Sequence, residues 1–135
     1  QLYAAVARGD ADAVERGTAL RRDWYRDGMI ALISGGCSID ALTWAGRYEE
    51  AVELAVELVE HLGRTWSDYF LGRIWLSALA LAALADAADA ARVTGDTSAA
   101  VAGLVAAVAI AYAAWQARLL RPVVPAPSEP AMAQS

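Results

Sequence analysis

Ala45-Gly46-Arg47-Tyr48-Glu49-Glu50-Ala51 lies between two stretches of helical periodicity, and its reading decides the fold. Gly46 can take the left-handed conformation that closes one helix. Glu49 and Glu50 then suit the first turn of the next helix, where negative charge complements the helix dipole. Ala51, one turn in, is small enough for two helix backbones to approach closely. The same phrase recurs at Gly9-Asp10…Val14 and at Gly95-Asp96…Ala100: a glycine, then Asp or Arg, then a small apolar residue four positions further on. An aspartate after the glycine can also cap the following helix. Recurrence at Gly9, Gly46 and Gly95 predicts an all-α fold of about five helices, arranged as stacked antiparallel hairpins.

Outward from these turns, a helix remnant covers about residues 1–8 and a second helix runs from Asp10 to about Arg22. Gln1 and its neighbours read as a helix entered mid-way, as in a piece of a longer protein. Asp23 is the expected cap of a third helix, which runs through Trp24, Met29, Ile30, Ile33 and Leu42 to Trp44. Gly28, Gly35 and Gly36 lie in it, each costing about 1 kcal/mol against alanine. The helix is therefore either broken near Ser34–Ser38 or approached there by a neighbour. Residues 48–62 form the clearest helix, with Glu50, Glu53, Glu57 and Glu60 on one face and Val52, Ala55, Val59 and Leu62 on another. Gly63 is expected to end it. Ser67 or Asp68 then caps a helix to about Val93, and a last helix covers about 97–120. The expected helical domain is 1–121. Residues 122–135 carry Pro122, Pro125, Pro127 and Pro130, the composition of an extended, disordered tail. Period-two alternation is absent, so no strand is expected.

The chain is 58% hydrophobic, and much of that is alanine, so closely spaced helices rather than bulky layers should form the core. A net charge of −5, with every cation an arginine, opposes a nucleic-acid surface, which needs clustered positive charge. One cysteine excludes an internal disulfide and fits a reducing, cytoplasmic setting.

Several groups invite chemical readings. Glu57 and His61, one helical turn apart with Glu60 adjacent, have metal-ligand spacing, but a solvated acidic face explains them. Cys37 beside Gly35-Gly36 lacks a base nearby and suits a small buried hydrophobe. Gly35-Gly36 has neither the lysine nor the preceding strand of a phosphate loop. Trp44, Trp75 and Trp115 fall on helix stripes, as core residues would. Trp66, with Tyr69 and Phe70, stands where a loop meets a helix; it is either a partner-binding anchor or a plug between hairpins. Pro122-Val123-Val124-Pro125 has the spacing of a groove-binding peptide. Ser98 to Ala117 holds no charge and is long enough to cross a membrane. Its bulky residues Val101, Leu104, Val105, Val108, Tyr112 and Trp115 form one stripe, expected to pack on Ile74, Leu81 and Leu84.

The phrase from Ala45 to Ala51 resembles the turn of a tetratricopeptide repeat, with Gly46, Tyr48 and Ala51 at matching positions and Gly95 and Ala100 in the later copy. The resemblance implies a degenerate, elongated α-solenoid. Residues 41–96, with Leu71-Gly72-Arg73-Ile74-Trp75-Leu76 and Leu81-Ala82-Ala83-Leu84-Ala85, are similar to the helical-repeat region of large bacterial LuxR-type ATPase transcriptional regulators. Neither a Walker motif nor a basic recognition helix is present. The expectation is a non-enzymatic interaction or sensor segment that presents a concave surface to a protein, peptide or small inducer. It needs no cofactor or metal and contacts neither nucleic acid nor membrane. The alternative is a small membrane protein spanning once at 98–117, with Arg118 and Arg121 on the cytoplasmic side.

Overall fold

The three glycine turns adopt one backbone solution. Gly9, Gly46 and Gly95 have φ of 69°, 73° and 79°, the left-handed region that a side chain resists. At each, the glycine N–H donates to the carbonyl three residues back and the next N–H donates to the carbonyl five back. The pairs are Gly9 to Val6 and Asp10 to Ala5, Gly46 to Thr43 and Arg47 to Leu42, and Gly95 to Arg92 and Asp96 to Ala91. This is the paired closure of a Schellman motif, which satisfies carbonyls that a helix end would leave open.

The computed structural model describes residues 1–67 and 70–119, without the side chains of 100 and 112–119. It contains α1 (Leu2–Arg8), α2 (Ala13–Leu20), a 3₁₀ turn (Arg21–Asp23), α3 (Gly28–Trp44), α4 (Tyr48–Thr65), α5 (Gly72–Thr94) and α6 (Thr97–Leu119). The described residues include no strand. Each helix packs on the next, and α3 touches both α1 and α5 as well. Among the described residues, the backbones of α2 and α4 do not approach each other closely, nor do those of α4 and α6.

α3 is the hub, and its missing side chains make it so. A Cβ on Gly35 would lie 3.2 Å from Leu58 Cγ of α4, and one on Gly36 would overlap the outer edge of the Trp75 ring of α5. The helix is continuous through both glycines. Of the two readings open from the sequence, close approach holds. Each glycine costs about 1 kcal/mol in helix propensity, whereas full burial of Leu58 contributes about 1.5–3 kcal/mol, so the trade favours the glycine. Leu58, Leu62, Leu76 and Ile39 are completely buried, and Trp24, Leu42 and Leu54 complete their cluster. A smaller cluster of Ala5, Val6, Ala13, Cys37 and Ala41 ties α1 and α2 to α3.

The structure corrects several expected boundaries. The described residues form six α-helices rather than about five. α2 begins at Ala13, because Asp10 pairs with Arg8 at 2.6 Å instead of capping. Asp27, not Asp23, caps α3, accepting from the Met29 N–H at 2.7 Å. Asp23 closes the 3₁₀ turn. Gly63 lies inside α4, which continues to Thr65, and α5 starts at Gly72. Asp96 does cap α6, accepting from the Ala99 N–H at 3.0 Å.

Two packing expectations are also overturned. Trp44 is 63% exposed rather than core, since it is the last residue of α3 and only edges a recess beside the α1–α2 turn. The α6 stripe Val101, Leu104, Val105 and Val108 is 60 to 64% exposed and faces away from α5. The side turned inward carries Gly103, Ala106, Ala107 and Ile110. A Cβ on Gly103 would stand 3.6 Å from both Ala88 Cβ and the Leu84 carbonyl oxygen. Two alanine-rich helices gain most dispersion contact at the shortest separation, which puts their small residues at the seam and turns bulky ones out. Ile74, an expected partner of the stripe, is likewise exposed. Tyr112 and Trp115 of the stripe have side chains outside the described set, and residues 120–135 lie outside the described residues.

Gly46→Val places a β-branched side chain in the left-handed region and should destabilise the fold by about 1 kcal/mol or more. Chemical denaturation followed by circular dichroism measures this, and an unchanged midpoint would contradict the turn assignment.

Candidate interaction surface

Trp66 closes α4, its N–H donating to the Leu62 carbonyl at 2.9 Å. Its indole covers the start of α3, where a Cβ on Gly28 would overlap the ring. Phe70 meets it edge-on, with centroids 6.2 Å apart and planes at 77°, and packs against the main core. Tyr69, the third residue of this expected anchor, lies outside the described residues. Trp66 and Phe70 thus join the end of α4 to the start of α3, and Trp66 remains 44% exposed.

Beside this junction is a cluster that the sequence did not single out. Trp24 is buried, and its Nε1 donates to Ser34 Oγ at 3.0 Å. Ser34 Oγ in turn donates to the Ile30 carbonyl at 2.6 Å. Arg21 lies over the indole at 5.4 Å, a cation–π contact, and its guanidinium pairs with Glu57. The His61 ring is tilted against Trp24 at 6.1 Å, with Nε2 3.3 Å from the Trp24 carbonyl oxygen. Glu57 and His61, the pair with metal-ligand spacing, are therefore engaged with the segment before α3. Among the described residues, no three His, Cys, Asp or Glu side chains converge on one point. The only sequence signal for this cluster was spacing: Arg21 with Trp24, and Glu57 with His61, each fall one turn apart.

An open apolar groove of about 390 Å³ runs between α1 and α3, with Leu2, Tyr3, Leu20, Met29, Ile30 and Ile33 on its walls. Met29 and Ile33 are a helical turn apart, and both are about half exposed. Asp27, Ser34 and Cys37 supply its polar edge. A second cavity of about 240 Å³ lies between α4, α5 and α6, with Val56, Val59, Leu76, Ala80 and Ile110 on its walls. Both recesses are greasy and carry few polar groups, which suits apolar side chains rather than bond-making chemistry.

Electrostatics on α3 are unusual at one point. Asp40 is half-buried and has no hydrogen-bond or ion-pair partner among the described residues. Burial alone pushes its carboxyl above the usual carboxylate range. Burial, and secondarily Asp40, pushes the Cys37 thiol up, so Cys37 stays protonated and serves as the small buried residue the sequence suggested.

No known protein family, curated protein or solved structure matches this chain.

Because folding raises the Asp40 pKa, ionising it opposes the folded state, and this penalty is absent below the unfolded pKa of about 3.9. Asp40→Asn should therefore raise the melting midpoint at pH 7, with a benefit that shrinks as pH falls through the folded pKa and vanishes near pH 3. Melts across that range test it; equal benefit at both ends would refute the assignment.

Proposed function

We propose that the chain is a non-enzymatic interaction or sensor segment, built as a degenerate tetratricopeptide-like stack of three hairpins, α1/α2, α3/α4 and α5/α6. The pattern of helix contacts supports this reading. Successive helices touch, and the first helices of the hairpins form their own layer through α1 with α3 and α3 with α5. Solenoids are built this way, and they bind ligands on an extended concave surface. The observation that carries the function is the apolar groove on that layer, with Met29, Ile30 and Ile33 presented by α3 and Leu2 and Tyr3 by α1. Its occupant would be an extended or helical peptide from a protein partner, or a small apolar inducer. The likeness of residues 41–96 to the repeat region of large bacterial LuxR-type regulators supports a place in cytoplasmic transcription control, away from DNA itself. Trp66 at the α3–α4 junction offers a second, smaller anchor near the same layer.

A second reading, a membrane span at 98–117, draws support from the outward α6 stripe. α5 also has a mean hydropathy of 1.5 over its most apolar window. Against it, α5 packs along α6 and exposes Asp86, Asp89 and Arg92, charges that would enter hydrocarbon with the span.

Selection from a random peptide library on the intact chain tests the groove. Binders should lose affinity by about tenfold or more on Ile33→Glu, about 1.4 kcal/mol, while the melting midpoint stays unchanged. Binders indifferent to Ile33→Glu and to Met29→Glu would contradict the assignment.

A further inference from the structure

α4 and α6 both follow turns of the same geometry, so their residues can be matched by counting from Gly46 and from Gly95. Leu54 and Leu58 then correspond to Gly103 and Ala107. Both sets face the first helix of their own hairpin: Leu58 against Gly35 of α3, Gly103 against Leu84 and Ala88 of α5. The two helices are therefore rotated alike. The same count pairs Val52 with Val101, Ala55 with Leu104, Val56 with Val105 and Val59 with Val108. On α4 three of this second set are covered, and Val56 alone is about half exposed. Ala55 is buried, Val52 and Val59 pack against the core, and Val56 and Val59 share a cavity wall with Leu76 and Ala80 of α5. On α6 the corresponding four residues are all exposed. The face that is largely covered on α4 is open on α6.

Charge and spacing identify the occupant. The chain carries −5, yet no acidic or basic residue lies between 97 and 117. α4, by contrast, carries Glu49, Glu50, Glu53, Glu57 and Glu60, and α5 carries Asp86 and Asp89. Two copies of this acidic chain meet with least repulsion along α6. Val101, Leu104 and Val108 follow the alternating three- and four-residue spacing of a helix-pair seam. β-Branched residues at the first and third of these positions, with leucine between, favour two strands.

We propose that the α6 stripe is a self-association surface, covered by α6 of a second copy of this chain. The proposal rests on the stacked-hairpin reading, through the matching of α4 with α6, but not on the α1–α3 groove. Sedimentation velocity of the intact chain at about 100 μM, where a low-micromolar interface is nearly saturated, should give the mass of a dimer. Leu104→Glu and Val108→Glu, at exposed positions, should each give a monomer with unchanged helical signal. Ala109→Glu, outside the matched set, should remain dimeric. A monomeric wild-type chain, a dimer that survives both stripe variants, or co-sedimentation of the wild-type chain with phosphatidylcholine vesicles would overturn the proposal. A monomeric wild-type chain that still binds groove-selected peptides through Ile33 would overturn it while leaving the groove reading in place.

Discussion

The absence of two side chains in the middle of α3 is the constraint on which the rest depends. Gly35 and Gly36 are adjacent, so they open two different sides of one helix turn. Leu58 of α4 enters one and Trp75 of α5 lies on the other. Ser34 and Ser38 add small polar side chains to the same stretch. They return their hydroxyls to the carbonyls of Ile30 and Ser34 and leave no buried polar atom unpaired among the described residues. A helix with ordinary residues at these points could not sit against α1, α2, α4 and α5 at once.

The same economy shapes the surface. Where small residues occupy the seams, bulky apolar residues are displaced to the outside. α3 turns Met29, Ile30 and Ile33 toward the groove with α1, and α6 turns Val101, Leu104, Val105 and Val108 away from α5. A core built this way contributes fewer buried methylenes per residue than a leucine-layered one. It leaves a larger share of the apolar side chains free to recognise something else. The proposed interaction role follows from that distribution rather than from any reactive group.

Much of the fold was legible because its signals are local. A left-handed residue after a helix needs glycine, so Gly9, Gly46 and Gly95 marked the turns correctly. Boundaries were harder wherever two residues were equally suited to one position. Asp23 and Asp27 are both competent caps, and only the 3₁₀ turn between α2 and α3 decides for Asp27. Gly63 ends nothing, because a glycine inside a long helix costs only about 1 kcal/mol and α4 has packing enough to absorb it. The stripe on α6 was misassigned for a more general reason. Periodicity shows that a helix has an apolar face, but not which face a neighbour chooses, and between alanine-rich helices the neighbour chooses the small one. The groove was legible only in part: Met29, Ile30 and Ile33 were placed on α3, but their exposure depends on how α1 lies, which the sequence does not encode locally. The Trp24 cluster was hidden because it joins the segment before α3 to α4, 36 to 37 residues further along the chain.

The packing of the hairpins on α3 depends most directly on the meeting of α3 and α5 at Gly36. In a ¹³C-edited nuclear Overhauser spectrum of the intact chain, the Gly36 Hα protons should show cross-peaks to the outer ring protons of Trp75 and an upfield ring-current shift that disappears in Trp75→Leu. Helical Gly36 signals at ordinary positions, with no cross-peak to Trp75, would contradict the hub and the hairpin stack built on it.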